Sequence, residues 1–234
     1  MKTKLLVAVG VCALLTAKVN ATTVNLAFET GTPQTTTALT GFVTTGAMMN
    51  GMLVTAYFGA VSETIVWNAY SATVGAVYGT GWSMMETGDT FGGQWFLANE
   101  RHSNLTRLVI DAGAGNSVFD TRAIGDVEGT TGSARGMDFT VTSVTAVDAD
   151  EIINVTYHGS VGLGANAPVG DLYRYMDITF SDGLDYGTLL GFNADTDNIL
   201  FAGDIQAVPE ATSTLGSFGV AFLALLGMAR RRNR

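Results

Sequence analysis

Residues 22–207 predict an all-β fold, a two-sheet antiparallel β-sandwich of jelly-roll type. Three observations predict it. Short runs rich in Val, Thr, Ile, Phe, Tyr and Trp recur along this stretch, separated by Gly, Asn, Asp and Ser. No long segment carries the 3.6-residue apolar period of an amphipathic helix. The chain has 29 glycines and only 3 prolines, so its turns rest mostly on glycine. Two sheets closed over Phe, Trp, Leu and Val bury the apolar side of each strand. No internal repeat suggests a solenoid.

Thr22 to Phe28 reads as the first strand. Gly31 to Thr40 is threonine-rich and reads as an exposed loop. Met48 to Phe58 and Glu63 to Tyr70 flank Gly59-Ala60 as a hairpin. Ala76 to Met85 and Gln94 to Asn99 follow, with turn signals at Gly88-Asp89 and Gly92-Gly93. Leu105 to Asp111 is a strand that Gly113 to Gly115 ends. Gly125 to Gly136 is the clearest loop. Met137 to Val147 and Glu151 to Val161 flank Asp148-Ala149-Asp150 and read as a second hairpin. Beyond a loop over Gly162 to Gly170 come strands Asp171 to Phe180, Thr188 to Asn193 and Asn198 to Gln206. The total is about nine or ten strands.

The chain carries 12 Lys+Arg against 21 Asp+Glu. Lys2, Lys4, Lys18, Arg230, Arg231, Arg232 and Arg234 all lie near its ends, so residues 22–207 contain no lysine and carry a net charge of about −15. Such a surface keeps a protein soluble, repels phosphate backbones and attracts cations. Nucleic acid is therefore not an expected partner.

The two ends read as targeting segments. Residues 1–21 have a basic start (Met1-Lys2-Thr3-Lys4), an apolar run from Leu5 to Ala17, and a small-residue cleavage site at Val19-Asn20-Ala21. That is the pattern of a secretory signal peptide with a short helix, cut before Thr22 by signal peptidase. Cys12, the only cysteine, lies inside the leader, so the mature chain has no thiol chemistry or disulfide. Residues 208–234 form a tail of three parts: Pro209-Glu210-Ala211, the uncharged run Thr214 to Ala229, and Arg230, Arg231, Arg232 and Arg234. As a helix the run spans about 24 Å, slightly short of the ~30 Å hydrocarbon core. Flanking polar residues and snorkelling arginines make up the difference. The arginines place the C-terminus on the cytoplasmic side.

This ordered tail resembles the PEP-CTERM sorting signal of bacterial surface proteins. The resemblance implies that an exosortase recognises Pro209 and Glu210, that the helix holds the chain in the membrane, and that the arginines set orientation. Ala211 departs from the family's third motif position, which is proline. The domain upstream, with M-M-N-G-M-L-V-T-A-Y-F, E-T-I-V-W, G-D-L-Y and D-T-D-N, also resembles ectodomains that precede such tails. That resemblance implies an all-β domain of unassigned activity.

Catalytic constellations are not evident. His102 and His158 are the only histidines, too few for a three-histidine zinc site, and Gly159-Ser160-Val161-Gly162 lacks the nucleophile-elbow spacing. No glycine-rich phosphate loop precedes a helix. Glu63, Glu86, Glu100, Glu128 and Glu151 are carboxylates of the type that cleave glycosides, but their spacing pairs no two of them. The chain is therefore expected not to be an enzyme and to need no cofactor beyond a structural calcium. For that ion Asp195 and Asp197 are the candidate ligands, in a turn D-T-D-N, with Asp148/Asp150 and Asp126/Glu128 as similar pairs. The EF-hand pattern fails because Ile199 occupies the fifth position. Asx residues also make ordinary turns.

The function expected is that of an exported, exosortase-sorted protein of the cell envelope, cell surface or extracellular matrix, structural or adhesive. The alternative is a carbohydrate-binding, less readily carbohydrate-cleaving, sandwich that meets extracellular polysaccharide. Its candidate aromatics are Trp67, Trp82, Trp95, Tyr70, Tyr78, Tyr173 and Tyr175. Such rings serve equally well as core.

Overall fold

The structure is a computed structural model and describes residues 22–122, 133, 135–145 and 151–201. In chain order the strands are β1 (Thr23–Glu29), β2 (Gln34–Gly41), β3 (Leu53–Phe58), β4 (Val61–Val66), β5 (Asn68–Ala69), β6 (Val74–Gly79), β7 (Trp82–Thr87), β8 (Gln94–Asn99), β9 (Leu105–Asp111), β10 (Ser117–Asp120), β11 (Thr140–Thr145), β12 (Ile152–Leu163), β13 (Leu172–Leu184), β14 (Thr188–Asn193) and β15 (Asp195–Phe201). Two single 3-10 turns, Gly46–Met49 and Ala112–Gly115, are the only helical elements among the described residues. The fold is all-β. The larger sheet runs β1-β12-β2-β15-β10-β13-β9-β3-β4 and the smaller β11-β14-β8-β7-β6-β5.

The long hairpin β12–β13 is the spine of the larger sheet. Along the outer edge of β12 lie β1 and then β2, both parallel to it. Along the outer edge of β13 lie β9 and then β10, both antiparallel. β15 pairs with β10 on one side and β2 on the other. The pairings β12–β2–β15–β10–β13–β12 therefore close a five-stranded ring at one end of an otherwise open sheet. Glycine permits the bend. Gly31 (φ +56) and Gly159 (φ +70) face each other where β1 gives way to β2, and a Cβ on Gly159 would come within 2.9 Å of the Tyr175 ring. The Ser160 amide and hydroxyl both donate to the Thr30 carbonyl there, at 3.1 and 3.0 Å.

The main core packs the two sheets together. Val54, Ala56, Leu108, Ile110, Val155, Tyr157 and Ile178 come from the larger sheet, and Val77, Trp82, Met84, Trp95, Leu97 and Phe192 from the smaller. Trp67, Trp82 and Trp95 are all interior. Their indole N–H groups donate to the Gly46 carbonyl (2.7 Å), Glu63 Oε2 (2.8 Å) and the Ala194 carbonyl (2.9 Å), which satisfies the one polar atom of each buried ring. A second, smaller core lies in the ring. Val118, Val161, Leu163, Leu172, Ile199 and Leu39 supply it, at least one from each of the five strands.

Several expectations change. The larger sheet is mixed, because β1 and β2 run parallel to β12, so it is not the wholly antiparallel jelly roll the sequence suggested. The threonine stretch 31–40 is largely strand β2. β-Branched residues suit a strand, and this one exposes most of its side chains, so no apolar period marks it. The segment 76–85 is a hairpin, not one strand. Gly81 (φ +74) turns it, and Gly79 lacks the Cβ that would overlap the Trp82 ring. β11 and β12 do not pair as a hairpin; β11 joins the smaller sheet through β14. The hairpin at Gly59 (φ +65) stands, as do β8, β9 and β14 with the expected bounds.

Close packing makes one glycine indispensable. A Cβ on Gly75 would overlap both the Gly46 carbonyl oxygen and Trp67 Nε1. Gly92 has open space and no positive φ. Gly75→Ala is expected to cost about 1–3 kcal/mol or more, and Gly92→Ala to stay within about 0.5 kcal/mol of wild type. Urea denaturation of the two variants checks this; equal midpoints would remove the packing argument.

Candidate functional site

Strand register gathers three aspartates. Asp195 and Asp197 are two residues apart on β15 and so share a face. Asp120, the last residue of β10, is directly opposite Asp195, and Val118 is opposite Asp197. On its other side Asp120 faces Leu172 of β13. Val118, Leu172 and Ile199 belong to the core of the ring, so the alternation along β10 and β15 points the acids into the same interior. One carboxylate oxygen from each of Asp120, Asp195 and Asp197 lies within 4.8 Å of the others. The three residues are 1%, 3% and 1% exposed.

Their hydrogen bonds are incomplete. Asp195 Oδ1 accepts from Thr90 Oγ1 at 3.0 Å and from the Thr196 amide at 2.8 Å. Asp120 Oδ2 accepts from Ser133 Oγ at 3.2 Å. Asp120 Oδ1 and Asp197 Oδ2 are buried without a partner. The backbone around the cluster is tight. The Met137 amide donates to the Asp120 carbonyl at 3.0 Å and the Asp195 amide to the Met137 carbonyl at 3.2 Å. Gly136 lies so close to Asp120 that a Cβ would overlap its carbonyl.

Burial is the main force on these acids. It raises Asp120, and Asp197, Asp195 and Asp171 raise it further by repulsion. Burial pushes Asp195 up to about 7 against the hydrogen bond from Thr90, which favours the charged form. Asp197 is also raised by burial, which the closeness of the Asp120 carboxyl partly offsets, while Asp171 and Asp89 add repulsion. Asp120 and Asp197 are close enough to share one proton, so they titrate as a pair.

Of the residues singled out in the sequence, Asp195 and Asp197 are thus brought together, on a strand rather than in the expected turn. Their neighbour Asn198 is used elsewhere, its Oδ1 accepting from Thr44 Oγ1 at 2.9 Å. Asp120 escaped the sequence reading, because cross-strand register between residues 75 apart leaves no local signal. Asp126, Glu128, Asp148 and Asp150 lie outside the described residues, as do residues 1–21, Pro209, Glu210, Ala211 and Arg230, Arg231, Arg232 and Arg234. Among the described residues, no helix is long and apolar enough to cross a membrane.

The remaining candidates are dispersed. His102 stacks on Tyr186 at 4.4 Å and His158 on Tyr175 at 4.8 Å, with the Arg174 guanidinium 5.0 Å from the Tyr175 ring. Tyr173 is buried and donates to the Gly170 carbonyl at 2.9 Å. Tyr70 and Tyr78 are exposed and meet edge to face at 5.4 Å. Glu63 binds the Thr80 amide (2.9 Å) and the Trp82 indole, which hold its pKa below the ordinary value. Glu151 accepts from Ser181 Oγ at 3.2 Å.

Glu86 is the second acid the sequence could not place. It is on β7, wholly buried, with neither carboxyl oxygen hydrogen-bonded. Gly46 and Gly93 leave it room, since a Cβ on either would crowd its oxygens. Burial pushes it up to about 8, the nearby Gly46 amide offsetting part of the shift and Asp89 adding to it. Comparison with known proteins gave no matching family model, no matching curated protein and no matching solved structure.

Glu86 sets a pH dependence with a definite sign. Its folded value, about 8, lies above the ordinary 4.5, so the folded state holds more protons between those pH values. Its contribution is complete below about pH 4.5 and is lost as pH rises through about 8. In EDTA, stability should fall over this window, and Glu86→Gln should flatten the slope by up to about 1.4 kcal/mol per pH unit. Urea denaturation at several pH values reads this directly; an unchanged slope refutes it.

Proposed function

We propose that this chain is an exported protein of the bacterial cell surface or extracellular matrix, sorted through its tail and structural rather than enzymatic. One observation carries the reading: the order Pro209-Glu210, apolar run Thr214 to Ala229, and terminal arginines, at the opposite end from a secretory leader. In this reading residues 1–21 form the signal helix that signal peptidase removes. Residues 208–234 form the transmembrane helix presented to an exosortase. The acidic β-domain between them stays outside the inner membrane.

The domain supports the reading in two ways. Residues 22–207 contain no cysteine, so an oxidising compartment would meet no thiol in the domain. The chemistry-bearing acids that converge, Asp120, Asp195 and Asp197, are sealed in the ring core at 3% exposure or less. That placement suits a role in holding the fold more than in meeting a polymeric substrate.

Intact-mass analysis of the native protein tests both ends at once. The expected mature form begins at Thr22 and is altered at or near Pro209-Glu210. A chain lacking Pro209 to Arg234 should fold and be exported, but not be retained at the surface. Recovery of the native chain from the cytosol with both ends intact would overturn the proposal.

A second reading, carbohydrate binding, is favoured by Tyr70 and Tyr78. The two rings are 54% and 55% exposed and meet at 87°. Exposed aromatic rings offer the flat apolar faces on which sugar rings settle. In that case Tyr70→Ala and Tyr78→Ala should each weaken retention on extracellular polysaccharide at least tenfold, with no loss of fold. Unchanged retention would leave the structural reading alone.

A further inference from the structure

We propose that Asp120, Asp195 and Asp197 hold a divalent cation of the calcium type inside the closed five-stranded ring, clamping β10 to β15. The claim stands apart from the reading of the tail, and either can fail without the other.

Two independent observations lead to it. The first is convergence. Register and alternation bring three carboxylates from two strands to within 4.8 Å of one another. The second is the orphan oxygens. Asp120 Oδ1 and Asp197 Oδ2 belong to side chains about 99% buried and have no hydrogen-bond partner. Native proteins rarely leave such atoms unsatisfied, and an ion is one of the few remedies available.

A proton alone is a partial remedy. One proton shared between Asp120 and Asp197 would pair the two orphan oxygens. It would leave the remaining carboxyl oxygens crowded within 4.8 Å of one another, an excess of acceptors over donors. A divalent cation removes that excess and takes the free lone pairs at once. The alternative, full protonation, discards the charge that makes three aspartates different from three asparagines.

The donor set selects the ion. All three ligands are hard carboxylate oxygens with no histidine or thiol among them, which suits calcium, magnesium or manganese and not zinc or copper. Calcium accepts six to eight oxygens in irregular arrangements, filling its shell with carbonyls and water. Magnesium demands near-ideal octahedral geometry and keeps several waters. Ligands fixed by strand register, two from one strand and one from its neighbour, are better matched to the tolerant ion.

The consequence is mechanical. β15 alone joins β10 to β2, so a cation bridging β10 and β15 secures the closure of the ring. Extracellular calcium modules work at about 10⁻⁴–10⁻³ M. A site of that strength would be filled outside the cell.

The test uses the full chain, stripped with EDTA and returned to buffer with calcium chloride alone. Titration calorimetry should show one calcium per chain at this site. A hundredfold excess over Kd should raise the melting temperature by roughly 5–10 °C. Asp120→Asn and Asp197→Asn should each abolish both effects, while remaining in EDTA at least as stable as wild type, because each removes a buried charge. Should either variant fail to fold, Asp195→Asn and the wild-type stoichiometry still decide the matter. The proposal is overturned if calcium neither binds nor shifts the wild-type melt, or if the shift survives in folded variants.

Discussion

Everything at one end of the molecule follows from a bend in the β12–β13 hairpin. The two strands are 12 and 13 residues long, longer than a flat sheet of this size would use. The halves far from the connecting loop carry β1 and β9 in an open layer, and the halves next to that loop carry β2 and β10 in a curve. Gly31 and Gly159 make the curve possible because both hold positive φ where their backbones approach. With the sheet bent, only one more strand is needed to join the free edges of β2 and β10. β15 is that strand. An edge that would otherwise offer unpaired amides to another chain is thereby removed.

Closure has an energetic cost, and its location is visible. A five-stranded ring has a narrow interior, filled, among the described residues, by medium-sized aliphatic side chains. The large rings go to the broader space between the sheets, where Tyr157 packs on Phe28, Phe119 and Tyr173 within 6 Å. At the ring's acidic end, apolar contacts give way to Asp120, Asp195 and Asp197. Carboxylates cannot lower the energy of a dry interior by themselves. Compare two ion pairs among the described residues, Arg174 with Asp111 and Arg107 with Asp177, whose side chains keep part of their surface in water. The protein can satisfy acids where it places arginine beside them. At Asp120, Asp195 and Asp197 the described residues bring carboxylates together with no arginine ion pair among them, which is the arrangement the proposed cation would complete.

How much of this was readable follows the same division between local and distant causes. β8, β9 and β14 were legible to the residue because each is a short, mostly apolar run bounded on both sides by glycine or polar residues. The Gly59 hairpin was legible because its turn residue stands between two alternating runs. β2 was not, since T-T-T-A-L-T exposes most of its side chains and its strand state is imposed by β12 and β15. The β6–β7 hairpin was masked by apolar residues on both arms, although Gly79 and Gly81 marked it. Asp195 and Asp197 were legible as a pair at alternate positions, yet D-T-D-N has the composition of a turn, and only pairing with β10 makes it a strand. Asp120 and Glu86 were not legible at all. Their environments are made by residues far away in the chain, and only the fold brings those together.

The acid-rich composition and the ring can be read as parts of one solution. Without lysine in residues 22–207 and with only five arginines there, the domain has few cations of its own to spend on buried carboxylates. It has no cysteine there either, so a covalent clamp on the last strand is unavailable. A surface this acidic draws divalent cations toward it and keeps copies of the chain apart. The same ions, admitted to one sealed position, would supply the positive charge that the sequence omits. On this view Asp120, Asp195 and Asp197 would do for β15 what a disulfide does in cysteine-containing domains: they would fasten the strand that closes the ring with a bond that forms only in the proper surroundings.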